Sequence, residues 1–136
     1  ILTTWLLNTA SAAQLGMKST GHASRGLAGP SGVSAHNVHL ENGEGTLADL
    51  MSGAGTGLFV TSMFGPSLNG NTGDWSAGVS GFWFENGVAV YPVNEVTVAG
   101  NLIDLYARLQ RGGDLERLGS FNTPSLLFDK VAIAGK

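Results

Sequence analysis

Residues 81–93, GFWFENGVAVYPV, constrain the fold more than any other stretch of the chain. Asn and Gly tolerate the positive φ angles of a two-residue type I′ turn. Asn86-Gly87, flanked by β-branched and aromatic residues, therefore predicts a β-hairpin. With that turn setting the register, Glu85 faces Val88, Phe84 faces Ala89, Trp83 faces Val90 and Phe82 faces Tyr91. One face then carries Phe82, Phe84, Ala89 and Tyr91, and the other carries Trp83, Val88 and Val90. Both faces are apolar. A hairpin with one face in water alternates with polar residues, so this one is expected to be covered on two sides.

The sequence around the hairpin reads mainly as strand. TGLFVTSMFG precedes it, EVTVAG follows it, and Ile1–Leu7 reads as a strand at the start of the chain. Between TGLFVTSMFG and the hairpin lies a glycine-rich run, 65–81, whose glycines are expected to permit tight bends and close backbone approach between strands. NTASAAQLG reads as a short helix capped by Asn8 or Thr9 and closed by Gly16. Residues 16–36 are almost free of large side chains and read as a long loop. NVHLENGEG reads as a short strand and a turn. In TLADLMSG, Thr46 caps a helix with Asp49 three residues on, and Leu47, Leu50 and Met51 share a face. NLIDLYARLQRGG reads as the best-signalled helix, with Asn101 as cap, Asp104 three residues on, Leu102, Leu105, Tyr106 and Leu109 as its apolar stripe, and Gly112-Gly113 as its stop. TPSLLFDKVAIAG is strand on either side of Asp129-Lys130, which is either a turn or a solvent-facing part of one long strand. The fold class is α+β: a mainly antiparallel sheet or barrel with a few short helices, with no repeat and no domain boundary within 1–136.

Charge narrows the function classes. Only 12% of the 136 residues are charged, against roughly 25% in an average soluble domain. No charged residue lies between Asp49 and Asp74. Part of such a surface is expected to be covered by other protein, and the chain reads as a piece of something longer. A net charge of −3 argues against direct nucleic-acid binding, which needs a basic patch. The chain has no cysteine, so disulfides and thiolate metal sites are excluded. The apolar opening lacks a basic flank and is interrupted by Thr3, Thr4 and Asn8, which argues against a signal peptide, and no stretch is long enough to span a bilayer.

The motifs of common chemistries fail one by one. GAGTGL, 53–58, has Leu58 where a dinucleotide loop needs its third glycine, and a strand follows it. No Gly-Lys-Ser/Thr is present. AGVSGF misses a nucleophile elbow because Phe82 takes the last glycine position. In HNVHLE, His39 and Glu41 align on a strand while His36 points the other way, and His22 is the remaining histidine that could complete a metal site. One His and one Glu do not close such a site, so an ordinary sheet histidine is the simpler reading. Among the carboxylates, Glu85 belongs to a turn and Asp104 to a helix cap. Nothing in the spacing pairs Asp74 or Glu95 for acid/base work.

Three blocks together, LLNTASAAQLGMKSTG, NTGDWSAGVSGFWFENGVAVYPVNEVTVAGNL and FNTPSLLFDKVAIAG, resemble the C-terminal part of the TldD/PmbA family, on its PmbA (TldE) branch. The resemblance runs over essentially the whole chain. It implies a cytoplasmic protein with an N-terminal α/β domain upstream and a β-rich C-terminal domain to which this chain corresponds. It further implies one half of a TldD–TldE zinc protease acting on unfolded or extended peptide. In that pair the zinc site, a His-Glu-x-x-x-His helix and a late cysteine, belongs to the TldD partner. This sequence has neither, so no zinc ligand or catalytic residue carries over, and no cofactor is expected in this chain. Expected partners are a TldD-like subunit or a second copy, the upstream domain and a peptide substrate. Bare backbone in the glycine run could pair with that peptide, with Asn69, Asn71, Thr72, Asp74 and Ser76 lining the channel. Two rivals remain: a homodimeric metallopeptidase with ligands outside this segment, and an interaction module connected with the older family label, modulator of DNA gyrase.

Overall fold

The computed structural model describes residues 4–135. In chain order the elements are α1 (Thr9–Leu15), β1 (Ala23–Ser24), β2 (Gly32–Val33), β3 (Val38–His39), α2 (Leu47–Ala54), β4 (Thr56–Leu68), β5 (Asp74–Glu85), β6 (Val88–Asn101), α3 (Leu102–Ala107), β7 (Gln110–Arg111), β8 (Phe121–Asn122), β9 (Leu126–Leu127) and β10 (Ala132–Ala134). They form two compact units. The first comprises the described part of Ile1–His39 with Arg117–Asn122; the second comprises Leu40–Glu116 with the described part of Thr123–Lys136. No helix among the described residues is long and apolar enough to cross a membrane.

In the first unit, α1 starts and stops where its sequence signals stand. The Asn8 side chain accepts from the Ser11 amide at 2.8 Å, and Gly16, at φ 64, closes the helix in the left-handed region. The strand expected over Ile1–Leu7 has a different outcome. Residues 1–3 lie outside the described part, and Thr4–Leu7 joins no strand. The Leu7 amide donates instead to the Thr20 hydroxyl at 2.7 Å, and its carbonyl accepts from the Thr20 amide at 3.1 Å, so the backbone bonds a strand would use are taken by a loop. The long loop contains a small antiparallel pair, β1 with β2, and β3 pairs in parallel with β8.

The second unit holds the main sheet, four antiparallel strands in the order β10–β6–β5–β4. Ala77 and Val79 of β5 and Val96 and Val98 of β6 are buried at its centre, with Leu58, Trp75, Val93 and Val131 against them. The glycine-rich run provides both the bend and the close strand approach expected of it. It is the second half of β4 and the first half of β5, joined by a turn at 69–73. Its glycines serve close approach: at Gly81 a Cβ would run into the Phe59 backbone of the neighbouring strand.

Asn86 and Gly87 take φ values of 50 and 77, as a type I′ turn requires. The register beyond the turn corrects the sequence reading. Glu85 faces Val88 and Phe84 faces Ala89, but Val90 is then an extra residue on β6, so Trp83 faces Tyr91 and Phe82 faces Pro92. A bulge of one residue shifts every later partner and reassigns the faces. The expected cover is only partial within this chain. Phe84 is buried over Gly57, whereas Phe82, Val88, Val90 and Tyr91 stand exposed.

Both helices of this unit follow their caps. Thr46 and Asp49 form the reciprocal capping box on α2, and Leu47, Leu50 and Met51 share its half-buried side. The Asn101 side chain caps α3. The apolar stripe predicts a helix running to Gly112-Gly113, yet α3 stops at Arg108. Gln110 and Arg111 leave it to pair with Leu127 and Leu126 as β7 and β9, so tertiary pairing overrides local propensity. Asp129-Lys130 is a turn, with Lys130 at φ 56.

Glycine positions separate backbone entropy from contact. Gly81→Ala should destabilise the protein by about 1–3 kcal/mol, because the new methyl group meets backbone. Gly53→Ala, within α2 and with nothing within 4 Å of its added Cβ, should stabilise it by about 0.5–1 kcal/mol. Urea midpoints of the two variants test the pair; equal shifts would contradict the strand-contact assignment.

Candidate functional site

The five polar residues singled out from the sequence stand at one end of the β4–β5 hairpin. Asn69, Asn71 and Thr72 lie in the turn, Asp74 opens β5, and Ser76 sits two residues further in, opposite Ser67 and Ala99. The structure thus brings four of them into one loop and places Ser76, half-buried, within the sheet.

Most of their hydrogen-bonding capacity is spent locally. The Asn69 amide donates to the Asp74 carbonyl at 2.9 Å, and the Gly73 amide donates to the Asn69 carbonyl at 2.8 Å. The Asn71 amide donates to Asn69 Oδ1 at 3.0 Å. Thr72 Oγ1 donates to Asp74 Oδ2 at 2.7 Å. Asn101 reaches across with its side-chain amide to the Thr72 carbonyl at 2.8 Å and to Asp74 Oδ1 at 3.2 Å, while its Oδ1 caps α3 by accepting from the Ile103 amide. One asparagine therefore ties the turn to the helix. The Thr72 hydroxyl first, and the Asn101 amide second, hold the exposed Asp74 carboxyl below its ordinary range.

Two features escaped the sequence reading. Asp114 clamps Ser125, accepting from its amide at 2.7 Å and from its hydroxyl at 2.6 Å, and these bonds lower the carboxyl's pKa. The rings of His22 and His36 stand 5.3 Å apart, with His22 Nδ1 2.9 Å from Thr20 Oγ1. No local signal marks that pair. It arises because β1 and β2 align Ala23 with Val33 and so bring the flanking residues together.

On the core side of the sheet lies a groove of about 960 Å³, lined mainly by apolar side chains. Leu47, Leu50 and Met51 of α2, Leu58, Val60 and Met63 of β4, Trp75 and Val79 of β5, and Leu102 and Leu105 of α3 contribute to its walls. Among the described residues, no group of three or more His, Cys, Asp or Glu side chains is placed to hold a metal ion. Glu85 accepts from Trp83 Nε1 at 3.2 Å, a contact within its own strand.

The comparisons decide the family. The family model described as PmbA/TldA metallopeptidase C-terminal domain matches residues 1–135. The chain belongs to this family. It is 40% identical over its whole length to Metalloprotease PmbA of Escherichia coli O157:H7, and 43% identical over 99% of its length to the Metalloprotease PmbA homolog of Haemophilus influenzae. In each case the chain spans 28% of the relative's length. Two crystal structures described as modulators of DNA gyrase share the fold. That of Bacteroides thetaiotaomicron has a TM-score of 0.73 at 35% identity, and that of Thermotoga maritima has 0.80 at 28%. The chain covers 29% and 31% of them, and they cover 99% and 98% of this chain. The family name speaks of a metal, but the described residues of this segment do not fit one: two imidazoles meet without a third ligand, and there is no thiolate.

Asn101→Ala should cost about 1–2 kcal/mol, since it removes a helix cap and the bridge to Thr72 together. Acid should act through Asp49, Asp74 and Asp114, whose hydrogen bonds lower their pKa values. A carboxyl with a folded pKa below its unfolded one contributes stability above about pH 4, lost as pH falls through the folded value. Asp74→Asn should therefore show a smaller fall in Tm on acidification below about pH 4 than the parent. A parallel fall in both would count against the assignment.

Proposed function

We propose that this chain is the C-terminal domain of a PmbA-like, non-catalytic subunit in a cytoplasmic TldD–TldE-type zinc metalloprotease complex. It contributes shape to a chamber for unfolded or extended peptide, and the zinc belongs to the TldD-like partner. The observation that carries this reading is the family match over residues 1–135, joined to identities of 40% and 43% with PmbA relatives. The absence of Cys and of any His-Glu pair in the sequence supports placing the ligands elsewhere. The Asn69–Ser76 hairpin end is proposed as one wall of the peptide path, presented by a turn that its own hydrogen bonds hold rigid.

Co-purification tests the assembly. The intact protein, tagged and isolated from its own cells, should bring down a second subunit bearing His-Glu-x-x-x-His, with zinc in that subunit. One tightly held zinc per chain in the intact protein purified alone would favour instead a homodimeric metallopeptidase. Alanine at Asn69, Asn71 and Ser76 together should slow peptide cleavage by the complex by about tenfold or more while leaving assembly intact. Unchanged cleavage would remove this loop from the substrate path.

A further inference from the structure

We propose that the outer edge of β4 is a docking strand for an extended, uncharged peptide, whose alternate side chains enter the groove beneath the sheet. The proposal deepens the peptide-handling reading above and rests on it for the identity of the occupant. Its site is different: the strand edge, not the polar turn.

The edge itself specifies what it can hold. Among the described residues, β4 pairs only with β5, so the outward backbone N–H and C=O groups of a 13-residue strand have no partner strand. Such a row is complementary to another extended backbone. Sheets usually blunt a free edge with charge, above all with Lys, but no charged residue occurs between Asp49 and Asp74. Protection comes only from irregularity: register shifts fall between Val60 and Ser62 and between Phe64 and Ser67, and Pro66 lacks an amide hydrogen. Regular pairing is thereby divided into Thr56–Val60 and two shorter runs, Ser62–Phe64 and Ser67–Leu68.

That limit selects the occupant. A stable dimer buries roughly 1,200–2,000 Å², far more than five paired residues provide by themselves. A short peptide needs no more than those residues together with pockets for its side chains. The pockets are present: Val60 and Met63, 38% and 52% exposed, stand on β4 and line the groove with Leu47 and Leu50. Successive residues of an added strand point to opposite faces, so every second side chain would lie over this apolar wall.

The test uses the intact protein without any partner subunit and a capped, fluorescent seven-residue peptide of alternating Thr and Val. Fluorescence anisotropy should show saturable binding. N-methylation of alternate peptide residues should weaken binding about tenfold or more in one register and little in the other, because only one set of amides meets the edge. Val60→Lys combined with Met63→Lys should weaken it similarly, while Val60→Thr should retain it. If the lysine variant fails to fold, the N-methyl comparison on the parent protein decides alone. Equal binding by both N-methylated registers overturns the proposal. So does hydrogen-exchange protection of the outward β4 amides before peptide is added, which would mean that a second copy or another segment already covers the edge. Because binding is read on this protein alone, failure of the protease assembly leaves this result standing, and loss of binding here leaves the assembly untouched.

Discussion

β5 is hydrogen-bonded along both edges over nearly its whole length, to β4 on one side and β6 on the other, and Val79 at its middle is fully buried. The rest of the second unit depends on that double pairing. Its two ends are fixed by different means: a type I′ turn at Asn86-Gly87 and a side-chain-knotted turn at 69–73. A slip of one residue between β5 and β6 would carry Ala77 and Val79 out of register with Val96 and Val98. Burial of those four side chains therefore rewards one alignment and penalises its neighbours.

The alignment is kept by breaking the ladder in places. The extra residue Val90 resets the partners of Trp83, and a second shift between Val79 and Gly81 resets those of Val93 and Val96. Glu95 in that second shift takes φ 56, a conformation that costs a non-glycine residue about 1–2 kcal/mol. Alongside it the Ser80 hydroxyl donates to Asn94 Oδ1, joining the two strands where the backbone ladder is interrupted. Bulges add twist as well as register, so these local costs shape the sheet on which α3 and β10 then settle.

What the sequence disclosed divides along the same physical line. Caps were legible because their partners are two or three residues away: Asn8 with Ser11, Thr46 with Asp49, Asn101 with Ile103. The Asn-Gly turn was legible for the same reason. The bulge at Val90 was not, because nothing in GVAVYPV marks which valine drops out of the ladder. The glycine-rich run was legible in kind but not in its partners. Composition suggests bends and close approach, but that Phe64 lies against Gly78 and the Phe59 backbone against Gly81 could not be read, because those contacts come from another strand. At the candidate site, the sequence singled out the polar residues of the turn; it could not show that Asn101, nearly thirty residues on, bonds the Thr72 carbonyl and the Asp74 carboxylate. The groove was out of reach altogether, since its walls come from α2, α3 and six strands.

The direction of the carboxyl shifts carries the functional reading one step further. A general acid or base near neutral pH needs a carboxyl whose pKa is raised, by burial or by a neighbouring negative charge. Asp49, Asp74 and Asp114 move the opposite way, each because hydroxyl, amide or backbone donors are aimed at the ionised form. Those donors make the three carboxylates good braces, and the same donors make them poor proton carriers. In the reading proposed above, recognition falls to the hairpin end, the backbone at the β4 edge and the apolar walls beneath it. Such a surface reads extended conformation and tolerates many side chains, which suits a path for unfolded polypeptide better than a pocket for one small substrate.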